Sequence, residues 1–180
     1  MTNSEFTIRL IKGRIAETLF EQMFRENEKF SIRKLGYEYT SPELAQFQHH
    51  LKNKKVLDKI RSAPDFLLIT TDMTQAYLVE VKFRNKLDPA DILKAAEKAA
   101  AYTDPSFLFI ATPTGFYFDL CTRIISNGGQ IQRLSESWIP RSVQQEYLIL
   151  LNTFEPRSMV NLKLKLPFKK RFIRANNGLA

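Results

Sequence analysis

A chain of 180 residues with 44% hydrophobic content is long enough to bury one real core and suits a single compact domain. No apolar run is long enough to span a bilayer, and "MTNSEFTIRL" at the N-terminus lacks a signal-peptide pattern, so a soluble, cytoplasmic protein is expected. One cysteine, Cys121, excludes an internal disulfide framework and a cysteine-built metal site, and it reads as small apolar filler.

The net charge of +8 is unevenly placed. Seven of the 27 basic residues follow Glu155 and none of the 19 acids does, which leaves residues 1–155 at +1. The chain thus divides into a single domain, 1–155, and a basic arm, 156–180. Such a concentration of cations is the footprint of a polyanionic partner, because each phosphate contact releases counterions. A solubilising tail, or a surface for an acidic protein or membrane, would use the same letters.

In chain order, Ile8, Ile11, Ile15, Leu19 and Met23 recur at helical spacing from Glu5 to about Glu28. Phe30–Tyr39 is strand-like, "TSPE" at 40–43 is a break, and 44–62 carries a second basic cluster that includes Lys54 and Lys55. Phe66–Thr70 and Ala76–Phe83 read as a hairpin closed by "TTDMTQ". A helix over 89–103 starts with Asp88 as N-cap and Pro89 at its first position, and its alanines offer a smooth face for a sheet. Strands follow at 106–113 and 115–120, a turn at "NGG" (127–129), and a late helix over Pro140–Phe154. "VNLKLKL" in the arm alternates as an edge strand would, ahead of a basic tail. Helices and strands in this order predict an α/β domain with a mixed sheet.

One stretch breaks the apolar pattern. Glu80 and Lys82 share one face of the 76–83 strand, while Tyr77, Val79, Val81 and Phe83 form the other. The hairpin would return this end of the strand to Asp65, at the start of its partner. Two converging carboxylates make an oxygen-rich site for a hard divalent ion, and an adjacent lysine can orient water or offset charge on a phosphate. An edge strand with a solvated Glu/Lys face would show the same tripeptide. However, "EVK" is the only [Asp/Glu]-x-Lys in the chain, it lies on an apolar strand, and Pro64-Asp65 precedes it across the turn. His49-His50 lacks zinc-site partners, and no G-x-S-x-G or phosphate-binding loop is present.

Pro64-Asp65 followed by Glu80-Val81-Lys82 resembles the PD-(D/E)xK nuclease superfamily, over roughly residues 5–120. The resemblance implies a restriction-endonuclease-like core of α-β-β-β-α-β order and Mg²⁺- (or Mn²⁺-) dependent endonuclease hydrolysis of phosphodiester bonds in DNA, with RNA left open. By position it implies that Asp65, Glu80 and the Val81 carbonyl bind metal and that Lys82 acts on the attacking water or the transition state. Family members often add an acid from the first helix, a place matched by Glu17. Gly13, one turn earlier, would permit a close approach, and Glu21, one turn later, is expected to face solvent. The family's glutamine on the Ala-rich helix is absent; Lys94, Glu97 and Lys98 are the polar residues there. Lys54, Lys55, Arg84, Lys86, Lys169, Lys170 and Arg171 are the expected DNA contacts, and cutting two strands points to a homodimer. A catalytically silent nucleic-acid-binding or interaction module on the same fold is the alternative.

Overall fold

The structure is a computed structural model that describes residues 3–35 and 62–154. Its elements are α1 (Asn3–Glu26), β1 (Phe30–Lys34), β2 (Phe66–Thr70), β3 (Ala76–Phe83), α2 (Pro89–Tyr102), β4 (Ser106–Thr112), β5 (Gly115–Leu120), α3 (Cys121–Ser126) and α4 (Arg141–Thr153). The first six follow the α-β-β-β-α-β order that the resemblance implies. The strands form one mixed sheet in the order β1-β2-β3-β4-β5, with β3 and β4 parallel and the other pairs antiparallel. A parallel pair cannot be closed by a tight turn, and α2 is the crossover that carries the chain back.

The hairpin between β2 and β3 is tied at its tip. The Asp72 carboxylate accepts from Thr74 N at 3.1 Å and from the hydroxyls of Thr70 and Thr74, while Thr70 N donates to Gln75 O at 3.0 Å. The α2 start is capped as the sequence leads one to expect, with Ala90 N donating to Asp88 Oδ1 at 3.0 Å. The "NGG" turn lies against the same helix start. Gly129 has φ +88°, and a Cβ there would fall 2.0 Å from Pro89 O, so only glycine permits this contact.

The sheet buries both faces, in two separate cores. On one face α1 and α4 cover an aromatic cluster in which Phe20 meets Phe24, Phe66 and Phe109 with ring centroids 4.5, 5.1 and 4.9 Å away. On the other, α2 and α3 lay Ile92, Ala96, Ala99, Cys121 and Ile124 on Leu108, Ile110 and Tyr117. The alanine face of α2 packs on the sheet as its small side chains permit. Cys121 is buried filler there, its thiol pushed up to about 11 chiefly by that burial.

α4 runs against α1 in the opposite direction. Tyr147 donates from its hydroxyl to Glu26 Oε1 at 2.6 Å near the end of α1, while Leu150 and Phe154 lie beside Leu10 and Ile11, near its start. A short segment beside β5 extends the sheet, with Phe118 N donating to Gln132 O and Leu134 N to Phe116 O, both at 3.0 Å.

Two expectations are corrected. α3 was not among the predicted elements, because it begins directly at the end of β5 without a turn residue and is only 6 residues long. Gly13 does not serve a close approach, since a Cβ there would meet nothing within 4 Å. Residues 36–39 of the strand-like stretch, residues 44–61 of the basic segment and the arm lie outside the described residues.

Phe20 is fully buried at the centre of the aromatic core. Phe20→Ala is expected to cost about 3–5 kcal/mol of stability, through lost burial and the cavity left behind. Urea unfolding followed by tryptophan fluorescence measures it; a loss below about 1 kcal/mol would contradict this packing.

Candidate active site

The sheet register builds the site. Phe66 pairs with Val79, so Asp65, one residue before β2, falls beside Glu80 on the same face of the hairpin. The Asp65 carboxylate then continues the ladder ahead of the start of β2, with Oδ2 accepting from Val81 N at 2.8 Å. The amide and carbonyl of one strand residue point toward the same neighbour, so the Val81 carbonyl also turns toward this edge, beyond the first residue of β2. The next side chain on the Glu80 face is Lys82, and its Nζ donates to Glu80 Oε1 in an ion pair. The structure thus brings Asp65, Glu80 and Lys82 together. They sit on the face that α2 covers, since Glu80 pairs with Leu108 and Lys82 with Ile110, both buried in that core.

That setting shapes the charges. The Asp65 carboxyl is pushed up to about 7, first by burial and then by repulsion from Glu80, with Glu17 adding to it; Lys82 and the Val81 amide pull the other way. Burial works against the charge on Lys82, but Glu80 and Asp65 outweigh it and hold its pKa above the ordinary lysine value. Lys82 is therefore a cationic donor at neutral pH, not a base.

The other candidates are placed as follows. Glu17 is close enough to raise the Asp65 pKa, while its own carboxylate is ion-paired with Arg14 at 2.9 Å. Glu21 does not face solvent as expected. Its side chain is 14% exposed and bridges Arg25 at 2.7 Å and Lys34 at 2.8 Å, cations that outweigh burial and lower its pKa. Lys94, Glu97 and Lys98 are all exposed on α2, whose sheet-facing side is Ile92, Ala96 and Ala99. Arg84 is engaged by Asp91 and by the Phe83 carbonyl at 2.9 Å, whereas Lys86 is exposed in the loop that follows. Lys54, Lys55, Lys169, Lys170 and Arg171 fall outside the described residues, as does His49-His50.

Two side chains went unremarked in the sequence. Lys12 reaches from α1 to Asn85 Oδ1 at 3.1 Å and lies 4.7 Å from the Phe83 ring centroid, which puts another cation beside the end of β3. Only the fold reveals it, because 73 residues separate the two partners. Asp119 is the buried acid among the described residues, yet its oxygens accept from Leu120 N and Gln132 N and pair with Arg123, which marks it as a structural tie.

Among the described residues no group of three His, Cys, Asp or Glu side chains is gathered as a ready metal cage. The donors that do adjoin (two carboxylates and a strand carbonyl) are all oxygens, which suits a hard divalent cation. The mutual repulsion that raises Asp65 is also what such a cation would relieve.

No protein-family model and no curated protein sequence matches the chain. Among solved structures it is similar to Hjc, a Holliday junction resolvase of Archaeoglobus fulgidus, with 14% identity over 74% of this chain and 98% of that one, at a TM-score of 0.38. Nothing about the site follows from so loose a likeness. No helix among the described residues is long and apolar enough to cross a membrane.

The Asp65 shift has a signed consequence. Between the ordinary carboxyl value of 3.8 and about 7 the folded chain keeps a proton that the unfolded chain releases. Stability therefore falls as pH rises through that window, and the loss is complete above it. Asp65→Asn keeps an acceptor for Val81 N and removes the charge. In chelator it is expected to gain about 1–3 kcal/mol over the wild type at pH 8 and little at pH 4, by denaturant titration. Equal differences at both pH values would mean that Asp65 is not strained in this way.

Proposed function

We propose that this chain is a metal-dependent nuclease that hydrolyses phosphodiester bonds in DNA, with Asp65, Glu80 and Lys82 as its working residues. The observation that carries the reading is the half-buried trio itself. An acid raised to about 7 sits beside a second acid and a lysine, against an apolar core. Such an arrangement costs stability and is characteristic of sites that do chemistry.

Asp65, Glu80 and the Val81 carbonyl would hold Mg²⁺ or Mn²⁺, with Glu17 joining once it leaves Arg14. When bound, a divalent ion neutralises phosphate charge and makes a coordinated water more acidic. Lys82, kept protonated by its two carboxylate neighbours, donates to the charge that builds on the phosphoryl oxygens or positions the attacking water. Lys86, Arg84 (by exchanging Asp91 for a phosphate), Lys54, Lys55, Lys169, Lys170 and Arg171 hold the backbone. Such contacts position the substrate without reading its sequence. A homodimer would present two sites for two strands, and RNA is kept among the substrates to be assayed.

A second reading has its own support. Lys82 is closed onto Glu80, and among the described residues no third carboxylate completes a metal cage. A silent nucleic-acid-binding module would tolerate both. Incubation of the protein with plasmid, single-stranded and branched DNA, and RNA, with Mg²⁺ or Mn²⁺, separates the two. Cleavage is expected from the wild type and a loss of at least about 100-fold from Asp65→Ala and Lys82→Ala, with DNA binding retained. Equal cleavage by all three proteins would remove the chemistry from this site, and binding without cleavage of any substrate would establish the module.

The basic arm has a separate readout. Charge reversal at Lys169, Lys170 and Arg171 is expected to weaken DNA binding and to reduce the slope of log affinity against log salt by up to about 3. An unchanged slope would take these residues off the backbone.

A further inference from the structure

Outside the candidate site lies an apolar groove between α1 and α4, about 540 Å³ in volume. Leu10, Ile11 and Ile15 form one wall, Leu150 and Phe154 the other. Its sides are unusually open for such residues: Leu10 and Ile11 are each 52% exposed, Phe154 is 54% exposed, and Phe6 beyond them is 61% exposed. Apolar side chains gathered in one exposed patch mark a surface that something covers.

The direction of the helices says what. α4 runs against α1 from Glu26 backwards and stops at Phe154, which shares the groove with Leu10 and Ile11, while Phe6 and Ile8 nearer the start of α1 stay exposed. Residues 155–180 are therefore tethered at the groove wall, through Phe154. Six residues later comes "VNLKLKLPF", in which Val160, Leu162, Leu164 and Leu166 alternate with Asn161, Lys163 and Lys165. The dimensions match. The α1 stretch from Leu19, at the inner end of the groove, to Phe6 is about 20 Å long, and so are the six extended steps from Val160 to Leu166 at ~3.3 Å each. The other segment outside the described residues, 36–61, starts and ends at the far edge of the sheet, where Leu35 N donates to Asp65 O at 2.9 Å.

The geometry points to docking of residues 160–166 of this same chain along the α1–α4 groove. The apolar side of the segment covers Leu10, Ile11 and Phe154, and Lys163 and Lys165 face solvent. A tether of a few residues gives the segment an effective local concentration in the millimolar range, so a modest apolar contact suffices to hold it. The arm is then a fixed cationic ridge on the body, not a free tail. This holds whether or not the chain cuts DNA.

The test uses the full chain with Cys121→Ala, into which Ile11→Cys and Leu164→Cys are introduced. The control pair is Glu97→Cys with Leu164→Cys, on the opposite face. Under mild oxidation the first pair is expected to give an intramolecular disulfide in at least about 10-fold higher yield than the control. Equal yields would overturn the docking, and a predominance of disulfide-linked dimers would assign the groove to a second copy. Independently, Leu162→Asp with Leu164→Asp is expected to speed amide exchange over residues 6–15 about 10-fold, as α1 loses its cover. Unchanged exchange would overturn the proposal as well.

Discussion

Just ahead of β2, a side chain takes over from the backbone. The Asp65 carboxylate accepts the Val81 amide at the place a further strand residue would have filled. This substitution leaves the Val81 carbonyl facing an open edge, and it anchors an acid beside Glu80. One hydrogen bond thus ties the register of the hairpin to the composition of the site. A slip of one residue between β2 and β3 would send Asp65 opposite an apolar residue and turn the trio apart.

The site depends equally on the two-sided burial of β3. Val79 and Val81 lock into the aromatic core under α1, and Glu80 and Lys82 are left on the face that α2 shields. The alanines of α2 allow that helix to lie close, and Gly129 holds its first turn in place through contact with Pro89. Lys12 and Glu17 act from α1 on the opposite side, where they bear on the end of β3 and on Asp65. The charged edge is in effect supported by both helical layers.

Much of this was legible in the sequence, for reasons that differ element by element. The hairpin, β5 and the Asp88-capped helix were bounded by turn residues and a clear period, and their limits match the structure to within one residue. Asp65 and Glu80 could be brought together on paper because an antiparallel turn fixes its own register. Other features carried no local signal. α3 is too short to show a period, and Glu21 looked solvent-facing because one of its two cations, Lys34, arrives from β1. The engagement of Arg84 by Asp91 and of Glu17 by Arg14 depends on side-chain geometry that a list of letters does not hold. The same limit applies to charge: burial beside an apolar core moves the Asp65 pKa, and burial is a property of the assembled sheet.

The pairing of Tyr147 with Glu26 joins residues 121 positions apart, and Asn27 likewise donates to the Trp138 carbonyl 111 positions away. The first helix and the last described helix thus complete one another's burial. During synthesis, then, the side of α1 that packs against α4 has no cover until α4 has been made, long after the hairpin and its charged trio are in place. Contacts of such high sequence separation slow folding and prolong the exposure of apolar surface. A nascent chain of this kind would be a client for chaperones at the stage when β5 is finished and α4 has yet to emerge.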